Sequence, residues 1–164
     1  MLVFASHNEY YPAKWEGAVE MRLRVLPSSR PAMTVHRRIL RRSKIVYVIA
    51  GKKSFKYTDG KSRIVYIGTT RKGADRIASS AANRAEEILV TRGFREMEIY
   101  VISCSSRPGL KTWIWLERAL LAVFRSRYHQ LPKCNSQGRK LRWNDKLHKM
   151  FSRARLERIL ASFE

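Results

Sequence analysis

The apolar positions after residue 44 change their period several times, and each change marks an element. IVYVIA (45–50) is an unbroken β-branched and aromatic run, which predicts a strand. The polar stretch GKKSFKYTDGKS follows, with Asp59-Gly60 as a turn signal. RIVYIG (63–68) predicts a second strand, so the two runs form an antiparallel hairpin around a long cationic loop. From 73 to 91, Ile77, Ala78, Ala81, Ala82, Ala85, Ile88 and Leu89 recur at three and four, the spacing of one helix face, and Gly93 is a C-terminal stop. EIYVISC (98–104) predicts a third strand. KTWIWLERALLAVFRSR (111–127) predicts a very apolar helix, and HQLPKCNSQG (129–138) a coil broken by Pro132 and Gly138. Residues 142–163 predict a last helix, with Leu147, Met150, Phe151, Ala154 and Ile159 inward and cations outward. The order β-β-α-β-α-coil-α specifies an α+β fold, a small three-stranded antiparallel sheet flanked by helices, since so few strands need helices over a face.

Residues 1–43 read as a basic N-terminal extension, with Pro12, Pro27 and Pro31 and the cationic run HRRILRRSK at 36–44. Within it Arg37, Arg38, Arg41 and Arg42 recur at helical spacing, which suits either an arm that orders on DNA or a solvated face. The expected organisation is thus an extension at 1–43, a domain at 44–138 and a C-terminal amphipathic basic helix at 139–164 packed on that domain.

Charge sharpens this picture. Lys and Arg number 34 against 13 Asp and Glu, a formal net charge of +21. So large an excess implies a polyanionic partner, whether DNA, RNA or an anionic membrane surface. No apolar run approaches the ~20 residues of a membrane span, and MLVFASHNEYYP lacks the pattern of a signal peptide. The expected location is therefore cytoplasmic. Cys104 and Cys134 lie thirty positions apart without a Cys-x-x-Cys, and His7, His36, His129 and His148 lack metal-ligand spacing. Two reduced structural thiols are expected.

One carboxylate stands out. From Ile99 to Asn144 the sole acid is Glu117, among nine Lys and Arg. Trp113, Leu120, Leu121 and Phe124 share its helical stripe, so it belongs to the inner face of an apolar helix. Such a glutamate is costly unless paired or bound to a metal. Arg76 and Arg118 are the candidate ion-pair partners, and a hard cation is the alternative, since one carboxylate holds Mg²⁺ when phosphate and water complete its shell. Tyr47 and Tyr66 occupy matching places in the two hairpin strands, where they are either ordinary strand tyrosines or a pair that shares one face. Arg76, one turn into the following helix, carries a fork of donors matched to two phosphate oxygens. Arg84, eight positions on, either shares the helix face of Arg76 or is simply solvated.

IVY at 45–47, YIG at 66–68, Arg76, Glu117 and Asn135, in this order and on this frame, resemble the GIY-YIG nuclease superfamily over roughly residues 44–138. Ile45 stands where the family name has glycine, the tyrosines are 19 positions apart, Thr69 follows YIG, and Ser80 occupies a position often held by His or Tyr. His129 in RYH competes with Asn135 for the asparagine's place, Asn135 fitting the pattern of a Pro-containing coil. The resemblance implies a metal-dependent DNA endonuclease. Tyr47 would be the general base, Tyr66 would orient the water, and Arg76 would hold the scissile phosphate. Glu117 would bind one Mg²⁺ or Mn²⁺, and Asn135 would brace the site. A homodimer is the implied route to double-strand cleavage, and RNA stays open as a substrate. Arg37, Arg38, Arg41, Arg42, Lys72 and Arg84 are the candidate nucleic-acid contacts, phosphate binding being the main source of non-specific affinity.

Three other readings compete. They are a degenerate module that holds DNA or RNA without cutting it, a structural nucleoid or ribosomal protein, and a membrane-surface protein using a basic amphipathic helix.

Overall fold

A computed structural model describes residues 43–91, 93, 95–105, 107–138 and 140–164. The extension expected at 1–43, with Arg37, Arg38, Arg41 and Arg42, lies outside the described residues, apart from its last position. Three strands form one antiparallel sheet in the order β2-β1-β3, with β1 at Ile45–Lys56, β2 at Lys61–Thr70 and β3 at Met97–Ile102. β1 is central and covered on both faces, which is why residues 45–50 are a continuous apolar run rather than an alternation.

The hairpin strands are longer than the sequence predicts. Pairing continues to Lys56↔Lys61, so the polar stretch is mostly strand, closed by a tight turn in which the Tyr57 N–H donates to the Gly60 carbonyl at 3.0 Å. Gly60 takes φ 82, the left-handed conformation that the Asp-Gly signal anticipates. The register slips where Ile49↔Tyr66 gives way to Ala50↔Ile64, leaving Val65 unopposed. This bulge turns both Val65 and Tyr66 toward the face that carries Tyr47.

Helix α1, Ala74–Ala85, widens into a π-helical turn over Glu86–Thr91, and Gly93 follows with φ 67. Ile77 and Ile88 from this segment pack with Ile45, Tyr47, Ile49 and Val65 on one face of the sheet. The other face is larger and drier. Val46, Val48, Ile64 and Ile67 meet Leu116, Leu120 and Phe124 of α2 (Thr112–Tyr128), and Leu156 and Leu160 of the last helix.

The C-terminal helix expected at 142–163 is two helices, α3 at Asp145–Met150 and α4 at Arg153–Ala161. Apolar residues recur across the break, but the backbone does not continue, and Ala154, expected inward, is exposed while Leu156 and Leu160 are buried. Phe151 and Ser152 are both extended, and the Ser152 hydroxyl accepts from the Arg155 N–H, capping a new start. The apolar helix, by contrast, matches its predicted bounds to within a residue and ends at His129 in the left-handed region. No helix among the described residues is long and apolar enough to cross a membrane. Cys104 and Cys134 are both free thiols.

Candidate active site

Two tyrosines sit together at one end of the sheet. Tyr47 lies opposite Gly68, and Tyr66 lies opposite Ile49, so the two side chains are diagonal neighbours on one face. Their ring centroids are 5.8 Å apart with planes tilted by 47°. Gly68 explains how Tyr66 reaches its neighbour. A Cβ on that glycine would meet Cε1 of Tyr66 at 2.5 Å and its hydroxyl at 2.7 Å, so the ring lies across the glycine. The glycine of YIG is there because the ring of its tyrosine needs the space.

Tyr47 is almost fully enclosed, with 2% of its surface exposed. Its hydroxyl donates to Oγ of Ser80 at 2.7 Å. Burial pushes the phenol up to about 12, the Ser80 hydrogen bond works against that rise, and the neighbouring Tyr66 adds to it. Tyr47 is therefore a neutral phenol near pH 7. Arg84 is the cation that opposes this rise.

Helix α1 supplies the polar lining. Its N-cap, Gly73, has φ 83, which lets the chain leave β2 and turn at once into the helix. Ile77, Ser80 and Ala81 form its buried stripe. Arg76 is one turn before Ser80 on the same side, exposed, and without a hydrogen bond or ion pair among the described residues. Lys72, in the preceding turn, is also exposed. Arg84 behaves differently. It is half-buried, its guanidinium lies 3.7 Å above the centre of the Tyr66 ring, and Nη1 donates to the Cys134 carbonyl at 2.9 Å. The residue expected at a phosphate has its guanidinium engaged within the fold.

The coil after α2 closes the free edge of β2. Cys134 N–H donates to the Val65 carbonyl at 2.9 Å. The Asn135 carboxamide then pairs with Ile67 in both senses, Oδ1 accepting from its N–H at 2.9 Å and Nδ2 donating to its carbonyl at 2.8 Å. Asn135 thus serves as a one-residue strand beside the YIG segment. His129, its competitor in the sequence, lies instead at the hairpin end, exposed and 3.8 Å from Asp59.

Glu117 lies on α2, the helix that packs against the opposite face of the sheet. It is one turn along α2 from Trp113, whose ring lies 5.5 Å from the ammonium of Lys44, the residue before β1. The carboxylate makes no hydrogen bond and no ion pair among the described residues. Neither expected arginine pairs with it, and the Arg118 guanidinium lies over Trp115 at 5.1 Å. Burial raises Glu117 to about 7, against a weaker opposing pull from Arg118. An underpaired, desolvated carboxylate is a group that a hard cation would stabilise, so Glu117 fits a metal ligand. Among the described residues no three His, Cys, Asp or Glu side chains cluster, so one protein carboxylate would have to suffice.

Tyr47, Tyr66, Ser80 and Arg84 are therefore in one contact network that Asn135 secures through the backbone of β2. Arg76 and Glu117 stand outside that network among the described residues. Sequence reasoning undervalued Ser80, although its position four after Arg76 was a visible signal, and did not foresee the inward use of Arg84. The chain matches no protein-family model, no curated protein and no solved structure.

Proposed function

We propose that this protein is a metal-dependent DNA endonuclease with a GIY-YIG-like fold, acting on DNA in the cytoplasm. The observation that carries the reading is the tyrosine pair, ring against ring across Gly68, with the Tyr47 hydroxyl bonded to Ser80 of α1, one turn after the exposed Arg76. Arg76 would hold the scissile phosphate and offset the charge it gains as water adds to phosphorus and the 3′ oxygen leaves. Tyr66 would orient that water, and Tyr47 would take its proton. Tyr47 must first lose its own proton, and Arg84 is the cation that favours the phenolate. Glu117 would hold one Mg²⁺ or Mn²⁺, which when bound offsets negative charge on the leaving oxygen. Asn135 would keep β2 in place. The exposed cations of α3 and α4 add non-specific affinity for the phosphate backbone. Cutting both strands would call for a homodimer.

The burial of Tyr47 favours one second reading, a module that keeps the tyrosines as core and binds nucleic acid without cutting it. Supercoiled plasmid with Mg²⁺, Mn²⁺ or EDTA separates the two. The nuclease gives metal-dependent nicking, lost by roughly 10²–10⁴-fold in Tyr47→Phe and lost also in Arg76→Ala and Glu117→Ala. Its rate rises with pH above 8, as the phenolate fraction grows. Equal plasmid binding by all four proteins with no nicking establishes the module.

A further inference from the structure

Arg84 was a candidate phosphate contact by sequence, and its surroundings give it other work. The guanidinium makes two engagements that only a planar, forked cation satisfies together. Its face stacks on Tyr66 at 3.7 Å, and one edge donates to the Cys134 carbonyl at 2.9 Å. That carbonyl belongs to the coil whose next residue, Asn135, grips Ile67. Tyr66 therefore has Gly68 beneath it, the Tyr47 ring beside it and the guanidinium over its face. Loss of the guanidinium would free that face and release the coil at one of its tie points.

We propose that Arg84 is a positioning residue. It fixes the Tyr66 ring against Tyr47 and ties that ring to the coil that pairs with β2, and it does not contact phosphate. The proposal rests on the nuclease reading only for its consequence in cleavage; the placement of the ring stands apart from it. A lysine at this position keeps the charge but has neither a plane to stack nor a fork to span ring and carbonyl.

The test compares wild type, Arg84→Lys and Arg84→Gln by two measurements. The first is NMR of ring-labelled tyrosine, with the Tyr66 signal assigned by its loss in Tyr66→Phe. Both substitutions are expected to move the Tyr66 ring resonances and to leave Tyr100, on the other face, unmoved. An unchanged Tyr66 signal in the folded Arg84→Lys protein overturns the proposal. The second measurement is binding to a short duplex across a salt series, beside single-turnover cleavage with Mg²⁺. Cleavage is expected to fall ~10- to 100-fold in both variants, while affinity and its salt slope stay at the wild-type values. Rescue by lysine, with a salt slope in Arg84→Gln shallower by about 1, makes Arg84 a phosphate contact and overturns the proposal. Moved Tyr66 signals in a wild-type background that cuts nothing retain the positioning role and discard the nuclease.

Discussion

The two faces of the sheet solve different problems. The face under α2 and α4 is a dry stack of Val46, Val48, Ile67, Leu120, Phe124 and Leu160, each at most 1% exposed. The face under α1 is equally enclosed at Ile45, Tyr47 and Ile49, yet hydroxyls, a guanidinium and a carboxamide run along its β2 side. Apolar packing is tolerant of exchange between similar shapes. The polar side is not, because each donor there is aimed at one acceptor. The contrast separates what makes the protein fold from what positions the tyrosine pair.

Removing a large side chain from the dry face should have the largest effect on stability. Phe124→Ala is expected to cost about 3–5 kcal/mol, read as a lower midpoint in urea unfolding, with the protein that remains folded still binding DNA. The α1 face breaks at a smaller cost and in a different way. Gly68→Ala places a methyl group where the Tyr66 ring lies, so the ring must leave or the strand must shift, at about 1–3 kcal/mol. The expected signature is a moderate loss of stability with complete loss of the Tyr47–Tyr66 contact, measurable by ring NMR. A Gly68→Ala protein with unmoved tyrosine signals would show that the glycine is not making room for the ring.

The smallest effect has the opposite sign. Glu117 titrates near 7 in the folded chain and near 4.5 when unfolded, so the folded state holds the extra proton between those values. Stability contributed by Glu117 is therefore present below pH 4.5 and is lost as pH rises through 7. Glu117→Gln, which cannot ionise, should be more stable than wild type at pH 8, by something on the order of 1–2 kcal/mol after allowing for partial solvent access. The difference should vanish near pH 4. Mg²⁺ should raise the melting temperature of wild type and leave that of Glu117→Gln where it was. Equal stability of the two proteins across this range would mean that the carboxylate has a partner in the fold.

Much of the fold was legible because its strongest signals are local. IVYVIA reads as strand since burial on both faces demands an unbroken apolar run, and Asp59-Gly60 reads as a turn since Gly60 needs positive φ. The break at Ser152 was hidden, because apolar residues recur across it and only backbone capping reveals the new start. The tyrosines and Glu117 could be singled out by type and position. Arg84 could not be placed, because a charged residue on a helix gives no hint of whether a ring and a carbonyl wait beside it. Those partners come from Tyr66 and Cys134, which only the tertiary fold brings to it.

The paired hydrogen bonds between Asn135 and Ile67 also make a built-in reporter. The Ile67 amide proton is held by a side chain 68 positions away rather than by a neighbouring strand. Its exchange with deuterated solvent requires the coil to lift, while exchange deeper in β1 requires the sheet itself to open. The slowing of that one amide relative to its exchange in an unfolded chain gives the free energy of undocking one segment from an otherwise intact domain, read beside the tyrosine pair.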